Sequence, residues 1–176
     1  MIARKEISWI IPMLGISGYD ALYTEWQHNG YTPELREFLD SRNIYIINTA
    51  GEINGREDIK IPVEPSMGAE QTLKRVDMLA DIIHEQLYSF KRLPSEYRVI
   101  VHCAVGMERS VLATAWYMQK YLNYTLDSAY QKIREIRPIA LDRSSWIGKK
   151  LETEIEEFDW NEAIYAEDLE PVRYTV

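Results

Sequence analysis

The chain contains one cysteine, Cys103, and six residues later an arginine, Arg109. A cysteine thiolate is a strong nucleophile, and a guanidinium can donate two parallel hydrogen bonds to phosphate oxygens. Gly106 lies between them, where the backbone can curve around an anion without a side chain in the way. Ser110 adds a hydroxyl that can hydrogen-bond a thiolate. A lone cysteine beside an apolar strand is usually an inert small hydrophobe, but this combination of neighbours favours nucleophilic attack on a phosphate.

The flanking residues predict where this segment lies. Residues 97–101 are mostly apolar, with three β-branched residues at 99–101, which predicts a buried strand, and residues 111–118 predict a helix. A loop between a strand end and a helix start can turn successive backbone N–H groups toward an anion, and the helix N-terminus adds partial positive charge. The same groups lower the pKa of a thiol placed among them. The sequence therefore predicts a phosphate-binding loop with a cysteine nucleophile at its base.

The segment His102-Cys103-x5-Arg109-Ser110 resembles the signature loop of the cysteine-dependent protein tyrosine phosphatases. With a glycine inside the loop and in a short chain, it is most similar to the dual-specificity branch. The resemblance covers roughly residues 44–158. It implies a two-step reaction in which the thiolate of Cys103 attacks phosphorus to give a phosphocysteine, which water then hydrolyses.

The resemblance also implies roles for the other loop residues. Arg109 and the loop amides hold the phosphate oxygens, where transition-state charge accumulates. Ser110 assists departure of the thiolate in the second step, and His102 helps to set the acidity of the cysteine. The implied phosphate-binding residues are Ala104, Val105, Gly106, Met107, Glu108 and Arg109. No metal ion and no cofactor is implied.

The general acid is where this sequence departs from the family pattern. The family carries an aspartate on a loop before a long helix, upstream of the nucleophile. Here the aligned position is Pro65, with Glu64 just before it. Glu64 can act as the acid if its longer side chain reaches the leaving oxygen, and a solvated loop glutamate is the alternative. Asp58 is a poorer candidate because it precedes the predicted strand at 59–63.

Two further carboxylates lie near the predicted site. Glu108 is within the loop, and we expect it to point away from a phosphate that would repel it. Its presence makes a highly anionic substrate such as a phosphoinositide less expected. Asp142 falls on a loop that approaches the active site in the family. Asp142 could therefore contact the active site from a second loop. The favoured interpretation is that it caps a helix or forms a salt bridge.

Apolar periodicity predicts the remaining elements and the fold class. Strands are predicted at 7–15, 44–48 and 59–63, and helices are predicted at 69–90, 109–122, 126–136 and 144–158, with a further helix beginning at Pro33. Thr125 is predicted to cap the helix that follows it. Strands alternating with helices predict a three-layer α/β sandwich, with a central, mainly parallel sheet of about four to five strands flanked by helices.

Composition limits the domain organisation and the partners. A chain of 176 residues suits a single domain, and we expect residues 1–160 to form the catalytic domain and 161–176 an acidic C-terminal extension. The net charge of −8 argues against nucleic-acid binding. We find no apolar run long enough for a membrane span and no signal-peptide pattern at the start. With a single cysteine that excludes internal disulfides, these features predict a cytoplasmic protein.

The leading functional prediction is a phosphatase of phosphotyrosine, extending to phosphoserine or phosphothreonine, on proteins or of a small phosphomonoester. A second prediction keeps the chemistry and changes the substrate to an RNA 5′-phosphate, a phosphoinositide or a sugar phosphate. A third is a weakly active phosphate-binding pseudophosphatase, which the absent aspartate motivates. A sulfur-transfer domain is a weaker rival, because such loops usually space cysteine and arginine differently. The sequence does not indicate the oligomeric state.

Overall fold

The computed structural model of the chain describes residues 6–22, 43–55, 57–88 and 97–152. Five strands form one sheet, in the order β1-β2-β5-β3-β4. The strands are β1 (Ser8–Ile11), β2 (Leu14–Ser17), β3 (Ile44–Asn48), β4 (Ile59–Lys60) and β5 (Arg98–His102). The helices are α1 (Tyr19–Leu22), α2 (Ala69–Tyr88), α3 (Arg109–Tyr121) and α4 (Leu126–Ile136), with short 3-10 helices at Pro65–Met67 and Ser144–Ile147.

Strand β5 lies at the centre of the sheet. It pairs in parallel with β2 on one side and with β3 on the other, and β3 pairs in parallel with β4. Only β1 runs antiparallel to its neighbour, β2. Val99, Ile100 and Val101 of β5 are fully buried, as expected for a strand covered on both faces. The carboxyl ends of the three central strands therefore meet at one edge, where α/β folds bind ligands.

Helices cover the sheet and complete its core. On one face, Val76 and Leu79 of α2 pack with Leu112 of α3 and with the sheet in a large apolar cluster that also includes α4. On the other face, Leu22 of α1 packs against Ile46 and other sheet residues. This is the predicted α/β architecture, with a five-stranded, mainly parallel central sheet flanked by helices. Among the described residues, no helix is both long enough and apolar enough to cross a membrane.

The prediction of a single strand at 7–15 is wrong, because the segment forms a hairpin. β1 ends at Ile11, a turn follows at Pro12 and Met13, and β2 begins at Leu14. Proline has no N–H to donate to a sheet ladder, so it falls naturally at the turn. Gly15, the last residue of the predicted strand, lies within β2, where an added methyl group would approach the Ile7 side chain to 2.7 Å.

The prediction of a helix at 144–158 is also wrong over its described part. A 3-10 helix spans Ser144–Ile147 and ends at Gly148, whose φ of 71° is left-handed. A glycine in this conformation is a common helix terminator. The strand predicted at 59–63 is shorter, Ile59–Lys60, although the N–H groups of Ile61 and Val63 still donate to the carbonyls of Asn48 and Thr49. The helix predicted from Pro33 and the acidic extension at 161–176 lie outside the described residues.

Helix α4 offers a test of the fold away from the site. Thr125 is confirmed as its cap, since its hydroxyl accepts a hydrogen bond from the backbone N–H of Ser128 at 3.1 Å. We expect Thr125→Ala to lower the free energy of unfolding by about 1 kcal/mol, because a helix N–H loses its partner. Urea denaturation followed by circular dichroism measures this change. Thr125→Ser keeps the hydroxyl and serves as control, so equal losses in both variants would contradict a capping role.

Candidate active site

The loop between β5 and α3 is anchored at its base by the neighbouring strands. Both the backbone N–H and the hydroxyl of Thr49, just after β3, donate to the carbonyl of His102 at 2.8 Å. On the other side, the N–H of Tyr19, just after β2, donates to the carbonyl of Ala104 at 2.9 Å. The carbonyl groups of His102 and Ala104 are thus hydrogen-bonded to the segments that follow β3 and β2. The loop conformation follows from contacts with elements on both sides of β5.

Cys103 is buried at the base of this loop. Its Sγ accepts a hydrogen bond from the N–H of Gly106 at 3.2 Å and lies 3.3 Å from the hydroxyl of Ser110. Burial raises the pKa of the Cys103 thiol, but hydrogen bonds from Ser110 and Met107 and the charge of Arg109 outweigh it and place the pKa below its ordinary value. The arrangement favours a thiolate, which is the reactive form of cysteine.

His102 directly precedes Cys103 and is fully buried. Burial holds the pKa of its imidazole below the ordinary value, although a hydrogen bond with Cys103 opposes the shift. The ring Nδ1 lies 3.3 Å from the carbonyl oxygen of Cys103, a hydrogen bond when Nδ1 carries the proton. A neutral imidazole can therefore orient the backbone at Cys103 without adding a charge.

Arg109 begins α3 and is held by a residue that the sequence reasoning missed, Glu52. Its Nη1 donates to Glu52 Oε2 at 2.7 Å, and its Nη2 donates to Oε1 at 2.6 Å. The hydrogen bond from Arg109 is the main reason that the pKa of Glu52 falls to about 2, and the same bond raises the pKa of Arg109. Glu52 follows β3 at the edge where β5 also ends, and that shared edge is the sequence signal for it.

Glu64, the candidate acid, lies on the same side of the loop as this ion pair. It immediately precedes the 3-10 helix Pro65–Met67, and a methyl group added to Gly51 would lie only 2.9 Å from its Oε1. Its charge also contributes to raising the pKa of Arg109. Asp58 is placed differently, since its Oδ2 accepts a hydrogen bond from the N–H of Ile46 at 2.7 Å within the sheet. The structure thus brings Glu64, and not Asp58, toward the arginine.

The other two carboxylates, Glu108 and Asp142, each accept a hydrogen bond from a residue close by. Glu108 Oε1 accepts a hydrogen bond from Arg143 Nη2 at 3.0 Å. Asp142 Oδ1 accepts one from the N–H of Ser144 at 2.8 Å, a capping contact at the start of the 3-10 helix. The segment nevertheless touches the loop, because the N–H of Leu141 donates to the loop carbonyl of Met107 at 2.9 Å. Asp142 therefore serves local structure beside the site.

The hydrogen bond between Ser110 and Cys103 predicts a shift in thiol reactivity. We expect Ser110→Ala to raise the pH midpoint of Cys103 alkylation by iodoacetamide by about one unit, because the thiolate loses a donor. Below the midpoint, alkylation then slows about tenfold. Cys103 is the only cysteine in the sequence, so the alkylation rate reports on this thiol alone.

A matched control lies one turn further along α3. The hydroxyl of Thr114 donates to the carbonyl of Ser110 at 2.8 Å rather than to the thiol, so Thr114→Val should leave the midpoint in place. An unchanged midpoint in Ser110→Ala would show that the hydroxyl does not stabilise the thiolate.

Comparison with known proteins adds independent information. The model of the dual specificity phosphatase catalytic domain matches residues 33–155. A stretch of 96 residues, 54% of this chain, is 30% identical to human dual specificity protein phosphatase 16 and spans 13% of that protein's length. The crystal structure of human DUSP28 superposes with a TM-score of 0.59 at 16% identity, over 80% of this chain and 86% of that one.

A structure of PTPMT1 in complex with PI(5)P is also similar, with a TM-score of 0.56 at 16% identity, over 78% of this chain and 87% of that one. At such identities the structural likeness shows the fold alone. The family model is more informative, since it spans the central strand, the loop at its carboxyl end and the helices that follow. Because it matches well over half of the sequence, the chain belongs to the dual specificity phosphatase family.

Proposed function

We propose that this chain hydrolyses phosphomonoesters of protein side chains, phosphotyrosine with phosphoserine and phosphothreonine as further substrates, through a phosphocysteine on Cys103. Family membership supports phosphatase chemistry. The observation that carries the proposal is the setting of the thiol, whose Sγ accepts the N–H of Gly106 at 3.2 Å within a loop that ends at Arg109. A buried thiol stabilised as a thiolate beside a guanidinium is suited to attack a phosphate that the guanidinium holds.

In the first step, the Cys103 thiolate attacks phosphorus, an S–P bond forms, and the bond from phosphorus to the leaving oxygen breaks. Glu64 gives its proton to that oxygen. In the second step, water attacks phosphorus, the S–P bond breaks, and Glu64 takes a proton from the water. Ser110, 3.3 Å from Sγ, stabilises the departing thiolate by donating its hydroxyl hydrogen. Inorganic phosphate leaves and the enzyme returns to its starting state.

The ion pair with Glu52 leaves Arg109 able to bind phosphate. A guanidinium has five N–H donors, and the two hydrogen bonds to Glu52 use one donor on each terminal nitrogen. The Nε–H and one further N–H on Nη2 share an edge that can hold two phosphate oxygens. Glu52 thus fixes the plane of the guanidinium while the other edge binds the substrate.

The charges around the loop favour a phosphorylated protein over a polyanionic ligand. Glu52 and Glu64 flank Arg109, and Glu108 lies within the loop itself. Arg109 and Arg143, two of the cations beside the loop, are each paired with one of these carboxylates. A ligand with additional phosphates would meet like charge beyond the first phosphate. The complex of PTPMT1 with PI(5)P makes a lipid phosphate the second candidate to test.

The primary test measures release of phosphate by wild type and by Cys103→Ser. We expect wild type to hydrolyse an aryl phosphate and phosphotyrosine peptides, and Cys103→Ser to be slower by a factor on the order of 10³ or more, because a hydroxyl is a far weaker nucleophile than a thiolate. PI(5)P in mixed micelles is assayed in parallel. If wild type is as inactive as Cys103→Ser, the proposed phosphatase activity is excluded and the phosphate-binding pseudophosphatase is favoured. A higher kcat/KM on PI(5)P than on peptides would favour a lipid substrate.

A second test addresses Glu64 through the leaving group. We expect Glu64→Gln to lower kcat by about 10²-fold for phenyl phosphate and much less for 4-nitrophenyl phosphate, because a poor leaving group needs the proton more. Glu57→Gln is the control, since Glu57 accepts a hydrogen bond from the N–H of Gly55 on the neighbouring loop. A rate that is unchanged across all leaving groups would show that Glu64 is not the acid.

A further inference from the structure

The largest fully buried side chain in the described part of the chain belongs to Arg137, directly after α4. Burial lowers the pKa of its guanidinium to about 10, so the group remains positively charged at neutral pH. A buried charge is costly unless hydrogen bonds and nearby opposite charge stabilise it.

The hydrogen bonds of Arg137 connect the phosphate loop to the first strand. On the loop side, Nε donates to the carbonyl of Gly106 at 2.6 Å, and Nη2 donates to the carbonyl of Val105 at 3.2 Å. On the other side, Nη1 donates to the hydroxyl of Ser8 at 2.9 Å and to the carbonyl of Glu6 at 3.2 Å. Arg137 therefore lies behind the loop, on the side to which these two carbonyls point.

One peptide group lies directly between Arg137 and the nucleophile. The carbonyl of Val105 and the N–H of Gly106 belong to the same peptide unit. Its oxygen accepts from Arg137, and its N–H donates to Cys103 Sγ at 3.2 Å. In a trans peptide these two groups point in opposite directions, so fixing the oxygen also aims the hydrogen. Hydrogen bonds in such a chain polarise one another, and a cation at one end strengthens the donor at the other.

The sequence leaves room for this contact only because residue 106 is glycine. Gly106 has a φ of 74°, in the left-handed region that favours glycine. A methyl group added there would lie 2.6 Å from Arg137 Nη2 and 2.5 Å from the carbonyl carbon of Ser17. The absence of a side chain at residue 106 therefore lets the guanidinium of Arg137 reach the loop on one side. It also lets the loop curve around a phosphate on the other side.

We propose that Arg137 is a positioning residue for the reaction: it holds the carbonyls of Val105 and Gly106 at the rear of the loop and supplies there a permanent positive charge that favours the thiolate of Cys103. The phosphatase activity is itself the proposal above, but the thiol can be studied without turnover. Arg137 does not touch the substrate. It acts through the peptide group that faces the sulfur.

Several other groups face the same thiol and must be held constant in any test. From the start of α3 they are the hydroxyl of Ser110 and the guanidinium of Arg109, whose charge Glu52 and Glu64 partly offset. From β5 it is the buried His102. Arg137 differs from these groups because it approaches from the opposite side of the loop and pairs mainly with backbone carbonyls. A substitution there leaves the front of the site unaltered.

The test compares two substitutions that separate charge from hydrogen bonding. Arg137→Gln removes the charge and keeps an amide donor, whereas Arg137→Lys keeps the charge. We expect the pH midpoint of Cys103 alkylation by iodoacetamide to rise by about one unit in Arg137→Gln and by less than about 0.3 units in Arg137→Lys. A rise of one unit corresponds to a tenfold loss of thiolate at pH values below the midpoint. Equal midpoints in wild type and folded Arg137→Gln would overturn the proposal.

A control variant and a measurement of folding distinguish an effect of the Arg137 charge from a general loss of structure. Lys132→Gln removes one positive charge from a half-buried side chain of α4 that lies over the ring of Tyr124, and it should leave the midpoint unchanged. Circular dichroism establishes that each variant is folded. If Arg137→Gln does not fold, the result for Arg137→Lys is used instead. An unchanged alkylation midpoint, with kcat on an aryl phosphate about tenfold lower, supports the proposal. A midpoint raised by one unit despite the retained charge refutes it.

Discussion

The loop between β5 and α3 depends on the pairing of β5 with a parallel strand on each side, up to its last residue. The last residue of that strand, His102, lies opposite Ser17 on one side and Asn48 on the other. The loop begins where both pairings end, and Thr49 extends the hydrogen bonding to the carbonyl of His102. The base of the loop cannot shift without breaking the centre of the sheet. Its N–H groups are therefore aimed before any ligand arrives, which is the condition for strong electrostatic stabilisation of a transition state.

The sequence was most informative where the determining residues are close together in the chain. The strand at 44–48 and the helix at 126–136 have the predicted bounds, because apolar periodicity and a capping threonine are local signals. The loop itself was identified because Cys103 and Arg109 lie within a single short segment. The two arginine contacts that complete the site could not be seen in this way. Glu52 reaches Arg109 across 57 positions, and Arg137 reaches Gly106 across 31.

The two errors in the elements have a common physical cause. In both segments an apolar pattern continues past a residue that changes the backbone direction. Between Ile7 and Leu14 the apolar run continues through Pro12, and the hairpin turn is hidden within it. Trp146 and Leu151 keep helical spacing across Gly148, yet the left-handed glycine ends the helix between them. Periodicity shows which side chains become buried, whereas proline and glycine decide the path of the chain that buries them.

The ion pair between Glu52 and Arg109 has a consequence for how the site discriminates among small anions. A carboxylate already neutralises the guanidinium, so a chloride ion gains little by approaching it. On the proposed function, a phosphate monoester, which has up to two charges and three terminal oxygens, binds the loop N–H groups and the remaining edge of Arg109 together. We therefore expect the pair to weaken the binding of monovalent anions such as chloride more than that of a phosphate monoester. At high salt, this difference would limit competition of chloride with the substrate at the loop.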